Sequence, residues 1–153
     1  MPRGVPWAPG SRTRVAAVIG DPVRHSLSPV LHNAAFRALE LDWVYLAFEV
    51  PGGEAAAALT GMRALGIEGL SVTMPHKGDA AASVDELSAA ALAVGAVNTV
   101  VPLPDGRLSG DNTDGAGFLA SLAEEGFDPA GQVCLVVGAG GAARAVVHAL
   151  AGA

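Results

Sequence analysis

Lysine is almost missing from this chain: of nine basic residues, eight are arginines and one is Lys77. A concentrated basic face is missing as well. The net charge is −6, the pI is near 5.0, and only Arg3, Arg12 and Arg14 make a locally basic tail, which argues against a nucleic-acid partner. There is one cysteine, Cys134, so no intrachain disulfide can form, and its place in the apolar run 133–137 reads as a buried core thiol. No apolar run reaches the length of a membrane span. The opening M-P-R-G-V-P-W-A-P-G-S-R-T-R is broken by three prolines and lacks the continuous apolar stretch of a secretory signal. A cytoplasmic protein with a loose extension over residues 1–13 is expected.

What is present is a hydrophobic, sparsely charged chain of 153 residues, 51% apolar and 16% charged, long enough for one domain or for one domain and part of another. Residues 14–20, R-V-A-A-V-I-G, read as a buried strand stopped by Gly20-Asp21-Pro22. Ser28-Pro29 opens a helix to about Leu41 with Val30, Leu31, Ala34, Ala35, Ala38 and Leu39 facing inward. A strand at 43–50, a helix at 53–65 ended by Gly66 and a strand at 67–74 follow. This alternation predicts an α/β fold, a mainly parallel sheet with helices on both faces, and in such sheets ligands gather at the carboxyl ends of the strands.

Several residues capable of chemistry fall there. G-L-S-V-T-M-P-H-K (69–77) alternates like a short buried strand, Pro75 ends it, and a loop carries Lys77. An ammonium can exchange its proton where a guanidinium effectively cannot, so Lys77 reads as a general acid/base or as a solvated loop lysine. Ser26 and Ser28 sit at a strand-to-helix turn, where they either bind a carboxylate or hydroxyl ligand or simply cap the helix and face water. Thr73 lies at the end of its strand. His25 and His32 flank the same turn without a third ligand at metal spacing, so no metal is expected.

Farther on, Ser83 to Glu86 matches a capping box and opens a helix to about Val94. Two strands joined at Pro104-Asp105-Gly106 read as a hairpin at the sheet edge. In the first of them Asn98 and Thr99 need partners, from a ligand or from neighbouring backbone. Asp114, near the N-terminus of a helix that turns Phe118, Leu119 and Leu122 inward and that Asn112 or Thr113 can cap, either caps that helix as well or faces Lys77 and shares a proton with it.

The last segment is a strand at 132–137, then Gly138, Ala139, Gly140, Gly141 and Ala142, then a helix. With Ala143 in the final place this fits G-x-G-x-x-G/A, a pyrophosphate turn, with a tight structural turn as the competing reading. The residue that would choose NAD or NADP falls about twenty positions beyond the motif, past Ala153, and a lone strand and helix cannot bury their faces. A truncated nucleotide-binding unit over residues 129–153 is expected, after a domain at 14–128.

Five segments in order, G-D-P-V-R-H-S-L-S-P from Gly20, S-V-T-M-P-H-K from Ser71, G-A-V-N-T from Gly95, G-D-N-T-D-G from Gly110 and G-A-G-G-A from Gly138, resemble the shikimate dehydrogenase family. The resemblance implies a substrate domain followed by a Rossmann domain that binds NADP. It also implies reduction of 3-dehydroshikimate to shikimate in the chorismate pathway to aromatic amino acids, with the chain as it stands inactive. Lys77 resembles the catalytic lysine and Asp114 its charged partner. Ser26 and Ser28 resemble the serines that hold the substrate carboxylate, Thr73, Asn98 and Asp114 the contacts to its hydroxyls, and Gly138 to Ala142 the cofactor loop. Ser71, where many relatives have asparagine, and Ala89, where many have an acidic residue, depart from the pattern. The alternatives are a non-catalytic shikimate- or quinate-binding module, or a quinate or aminoshikimate dehydrogenase. The expected partner is a small molecule, not nucleic acid or membrane, with homodimer assembly left open.

Overall fold

The computed structural model describes residues 8–153, so most of the expected N-terminal extension, residues 1–7, lies outside the described residues. The strands are β1 (Arg14–Gly20), β2 (Trp43–Glu49), β3 (Gly69–Val72), β4 (Glu86–Leu87), β5 (Thr99–Pro102) and β6 (Leu108–Asp111). The helices are α1 (Ser28–Ala38), α2 (Ala55–Leu65), α3 (Lys77–Ala81), α4 (Ala89–Val94), α5 (Asp114–Glu124) and α6 (Gly141–Ala151). The six strands form one sheet in the order β2-β1-β3-β5-β6-β4. β1 runs parallel to β2 and to β3, and β4 runs parallel to β6. Antiparallel pairing joins β3 to β5 and β5 to β6.

The period of two along β1 divides the core. Ala17 and Ile19 join Leu59, Met62, Leu70, Val72, Val97, Val100 and Leu108 in the larger cluster. Ala16 and Val18 point the other way, with Val23, Tyr45, Phe36 and Trp43. Alternate residues of a buried strand feed opposite layers, and a sheet covered by helices on both faces is the result. Among the described residues no helix is long and apolar enough to cross a membrane.

Several sequence expectations are corrected. α1 ends at Ala38, and its inward face is not the aliphatic one: Val30, Leu31 and Leu39 are exposed, while Asn33 and Phe36 are half-buried. The reason is the open edge of β2. Tyr45 turns its backbone groups outward there, and the Asn33 amide satisfies both, donating from Nδ2 to the Tyr45 carbonyl at 2.8 Å and accepting the Tyr45 N–H at 2.9 Å. Buried backbone groups must be paired, and that need outweighs the apolar stripe.

The capping box at Ser83 does not form. Asp85 and Ser88 donate backbone N–H groups to Leu108 and Gly110, Glu86 and Leu87 become β4 beside β6, and Ser88 caps the shorter α4 by accepting the Ala91 N–H at 3.1 Å. With β4 outside β6, the β5–β6 hairpin lies inside the sheet rather than at its edge. Among the described residues the segment 132–137 forms no strand and pairs with none, contrary to expectation, and Leu135 and Val137 stand 90% and 91% exposed. Cys134 is exposed with them rather than buried. α6 nonetheless packs on the rest of the protein: Ala145 is buried with Val94 and Ala96, and α5 approaches it through the buried Gly115.

Because Asn33 replaces a missing neighbour strand, Asn33→Ala should destabilise the chain by about 1–3 kcal/mol, the cost of leaving buried backbone groups unpaired. Urea unfolding followed by circular dichroism should show the lower midpoint. An unchanged midpoint would mean that these two hydrogen bonds do not dock α1.

Candidate active site

Along one side of the sheet, the β1–α1 turn, the end of β3, the segment before β5 and the start of α5 enclose a cleft of about 480 Å³. Ser26, Ser28, Thr73, Lys77, Asn98 and Asp114 all line it. Of the residues that the sequence singles out for a ligand, the structure therefore brings six into one space, drawn from parts of the chain far apart in sequence.

Thr73 comes close to the β1–α1 turn because residue 20 is glycine. A Cβ on Gly20 would sit 2.4 Å from Thr73 Cγ2, closer than carbon atoms can approach, so any side chain there would push the two walls apart. Ser28 does not cap α1. The N-cap residue is Leu27, without a side-chain bond, and among the described residues the Ser28 hydroxyl has no partner, while its backbone N–H donates to Ser26 Oγ at 3.3 Å. Two serine oxygens at the N-terminus of an eleven-residue helix thus face the cleft with the helix dipole behind them, a setting that favours an anion.

Lys77 is the first residue of α3 rather than a loop residue. Two features hold its backbone: Val97 donates its N–H to the Lys77 carbonyl at 2.8 Å, and the preceding His76, fully buried, contacts the Val50 carbonyl through Nε2 at 2.8 Å. The side chain then reaches across to α5, where Nζ donates to Asp114 Oδ2 at 2.5 Å. The two side chains are only 16% and 24% exposed, so this ion pair is less screened than a surface pair.

Asp114 is held from three sides. Its backbone N–H donates to Asn112 Oδ1 at 3.1 Å, so Asn112 satisfies the helix start while Thr113, the N-cap residue, makes no side-chain cap. Asn112 is anchored by donating to the Ala96 carbonyl at 2.9 Å. Asn98 Nδ2 donates to Asp114 Oδ1 at 2.7 Å and to Thr113 Oγ1 at 3.0 Å. Asn98 Oδ1 accepts from the Thr113 N–H at 3.1 Å and from the Thr99 hydroxyl at 2.9 Å. Neighbouring protein groups, mostly side chains, therefore engage this amide, which also lines the cleft. Asp111 stays out of this group, accepting from Ser88 Oγ and from the Asn112 N–H.

The glycine turn meets the cleft at Lys77. A Cβ on Gly141 would lie 3.1 Å from Ala96 Cβ and 3.2 Å from Lys77 Cβ, so the bare α-carbon lets the start of α6 rest on the lysine. Gly138 adopts φ +131°, open to glycine and strained for other residues. Around Gly140 a Cβ would meet nothing within 4 Å, and the first turn of α6 offers unpaired amides. A turn with open space and free N–H groups fits a pyrophosphate.

Three further groups line the cleft without a ligand role expected from the residues alone, His25, His32 and Ser71. Ser71 was legible in principle, since it stands on β3 two residues before Thr73, which follows the strand. His32 was not, because the face of α1 that turns inward is set by the edge of β2.

Comparisons with known proteins identify the family of this fold. A family model described as the shikimate dehydrogenase substrate binding domain matches residues 18–100. The curated "Shikimate dehydrogenase (NADP(+))" of Moorella thermoacetica is 55% identical over 139 residues, 91% of this chain and 47% of that protein. That of Rubrobacter xylanophilus is 54% identical over 138 residues, 90% and 49% of the two chains. The crystal structure of shikimate 5-dehydrogenase from Thermus thermophilus in complex with NADP(H) and shikimate superposes with a TM-score of 0.84 at 42% identity, over 91% of this chain and 52% of that one. The chain spans about half the length of the curated relatives it matches. With more than half of its residues matched by the family model and its fold shared, the chain belongs to the shikimate dehydrogenase substrate-binding family.

Proposed function

We propose that residues 14–128 bind 3-dehydroshikimate and shikimate, that residues 129–153 open the NADP-binding part, and that the full-length protein is an NADP-dependent shikimate dehydrogenase. The observation that carries this reading is the Lys77–Asp114 pair in the cleft, with the serine hydroxyls of the β1–α1 turn on the same cleft and the glycine turn against the lysine.

Ser26 and Ser28 receive the ring carboxylate at the N-terminus of α1, where neutral hydroxyls and the helix dipole act in place of a guanidinium. Thr73 and Asp114 take ring hydroxyls. Asn98 acts first by holding Asp114, and it meets a ligand hydroxyl only by exchanging one of its present bonds. Gly138, Ala139, Gly140, Gly141 and Ala142 would hold the cofactor pyrophosphate, and a bound nicotinamide supplies the hydride for the ring ketone. As negative charge grows on the ketone oxygen, Lys77 donates a proton to it; in the reverse direction the lysine removes that proton from the hydroxyl. Asp114 keeps the amine aimed into the cleft and compensates its charge in the cationic state.

Two outcomes are expected for the full-length protein, followed by NADPH oxidation with 3-dehydroshikimate. Lys77→Ala should lower turnover by about 100- to 10,000-fold, the range typical of a lost general acid/base, with KM changed only severalfold. Turnover near that of the unaltered protein would reject the role of the lysine. Gly141→Ala, which puts a methyl group against Lys77, should lower kcat by about tenfold or more through misplacement of the amine and change NADP affinity less. Loss of cofactor affinity with kcat intact would mean that this glycine serves the dinucleotide alone.

A further inference from the structure

Tyr45 is a buried polar group that the proposed reaction leaves unused. It is 4% exposed, and its hydroxyl donates to Ser71 Oγ at 2.7 Å. Tyr45 stands on β2 and Ser71 on β3, with β1 between them, so the phenol ring has to lie across β1 to make this bond. The register leaves room for it. Tyr45 is level with Ala16, and Ala16 with Gly69, so only a methyl group and a hydrogen occupy that row.

The ring is fixed from both ends. His32 of α1 stacks on it with ring centres 4.2 Å apart and planes 13° apart, and Asn33 holds its backbone N–H and carbonyl. Burial raises the pKa of the phenol, and the Ser71 hydrogen bond offsets this only in part, so Tyr45 stays a donor throughout the neutral range. A phenol is a stronger acid than an alkyl hydroxyl, so in this pair the tyrosine donates and the serine oxygen accepts. Ser71 then keeps its own O–H, which has no acceptor among the described residues, and Ser71 lines the cleft with Thr73 and Ser28.

We infer that Tyr45 is a positioning residue for ligand recognition: by occupying one lone pair of Ser71 it turns the serine O–H into the cleft, as a directed donor to a ring oxygen of the ligand. This rests on the shikimate reading of the cleft.

The test is a double-mutant cycle on shikimate affinity, measured by isothermal titration calorimetry with this chain, its Tyr45→Phe and Ser71→Ala variants and the double variant. Tyr45→Phe keeps the ring and its stack on His32. It should weaken binding about fivefold or more, the scale of one directed hydrogen bond, and Ser71→Ala should weaken it at least as much. The double variant should match Ser71→Ala within about twofold, since Tyr45 then has nothing left to orient. Unchanged affinity in Tyr45→Phe, or losses that multiply in the double variant, would overturn the inference, because a structural tyrosine acts whether or not Ser71 is present. Should Tyr45→Phe impair folding, Ser71→Ala decides by itself: affinity equal to the parent chain overturns the inference. Absence of shikimate binding by the unaltered chain would instead overturn the functional reading and this inference with it, whereas intact binding that ignores both substitutions overturns this inference alone.

Discussion

One ion pair organises this molecule. The bond from Lys77 Nζ to Asp114 Oδ2 at 2.5 Å joins the start of α3, just after β3, to the start of α5, just after β6, across the sheet. An amine and a carboxylate taken out of water are stable together only when hydrogen bonds complete the geometry around them. That requirement accounts for much of the neighbourhood. Asn98 and Asn112 hold Asp114 and its backbone, and the carbonyl of Lys77 is tied to Val97. The charges stay partly open to the cleft.

The lysine also meets the glycine turn. Gly141 brings the start of α6 against Lys77 and Ala96, and Ala145 closes a small apolar cluster with Val94 and Ala96. The turn proposed for the pyrophosphate is thus coupled by direct contact to the residue proposed for proton transfer. The row from Asn33 through Tyr45 to Ser71 links the edge of the sheet to the lining of the cleft. A helix docked by a polar side chain therefore helps to shape the space that receives the ligand.

The alternation of strands and helices was legible in the sequence, as were the place of Ser26, Ser28, Thr73 and Lys77 at strand ends, that of Asp114 at a helix start, and the glycine turn before a helix. Those features arise from local rules: a period of two in strands, proline and glycine at boundaries, small residues where the backbone must come close. What stayed hidden depended on neighbours distant in the chain. Ser83 and Glu86 have the spacing of a capping box, yet pairing of residues 86–87 with β6 wins, because strand pairing satisfies more backbone groups than a local cap. The aliphatic face of α1 has helical period, yet Asn33 turns inward, since the edge of β2 needs a donor and an acceptor that hydrophobicity does not register. Cys134 lies in an apolar run, yet residues 132–137 pair with no strand among the described residues and leave it exposed.

The central claim is that this cleft holds a shikimate ring with one hydroxyl on the lysine. A crystal structure of the chain with shikimate tests it most directly. The account predicts the carboxylate on the hydroxyls of Ser26 and Ser28 and a ring oxygen within about 3 Å of Lys77 Nζ, an ordinary hydrogen-bond distance. A ring bound elsewhere, or bound with its carboxylate on Lys77 and its hydroxyls toward the serines, would contradict it.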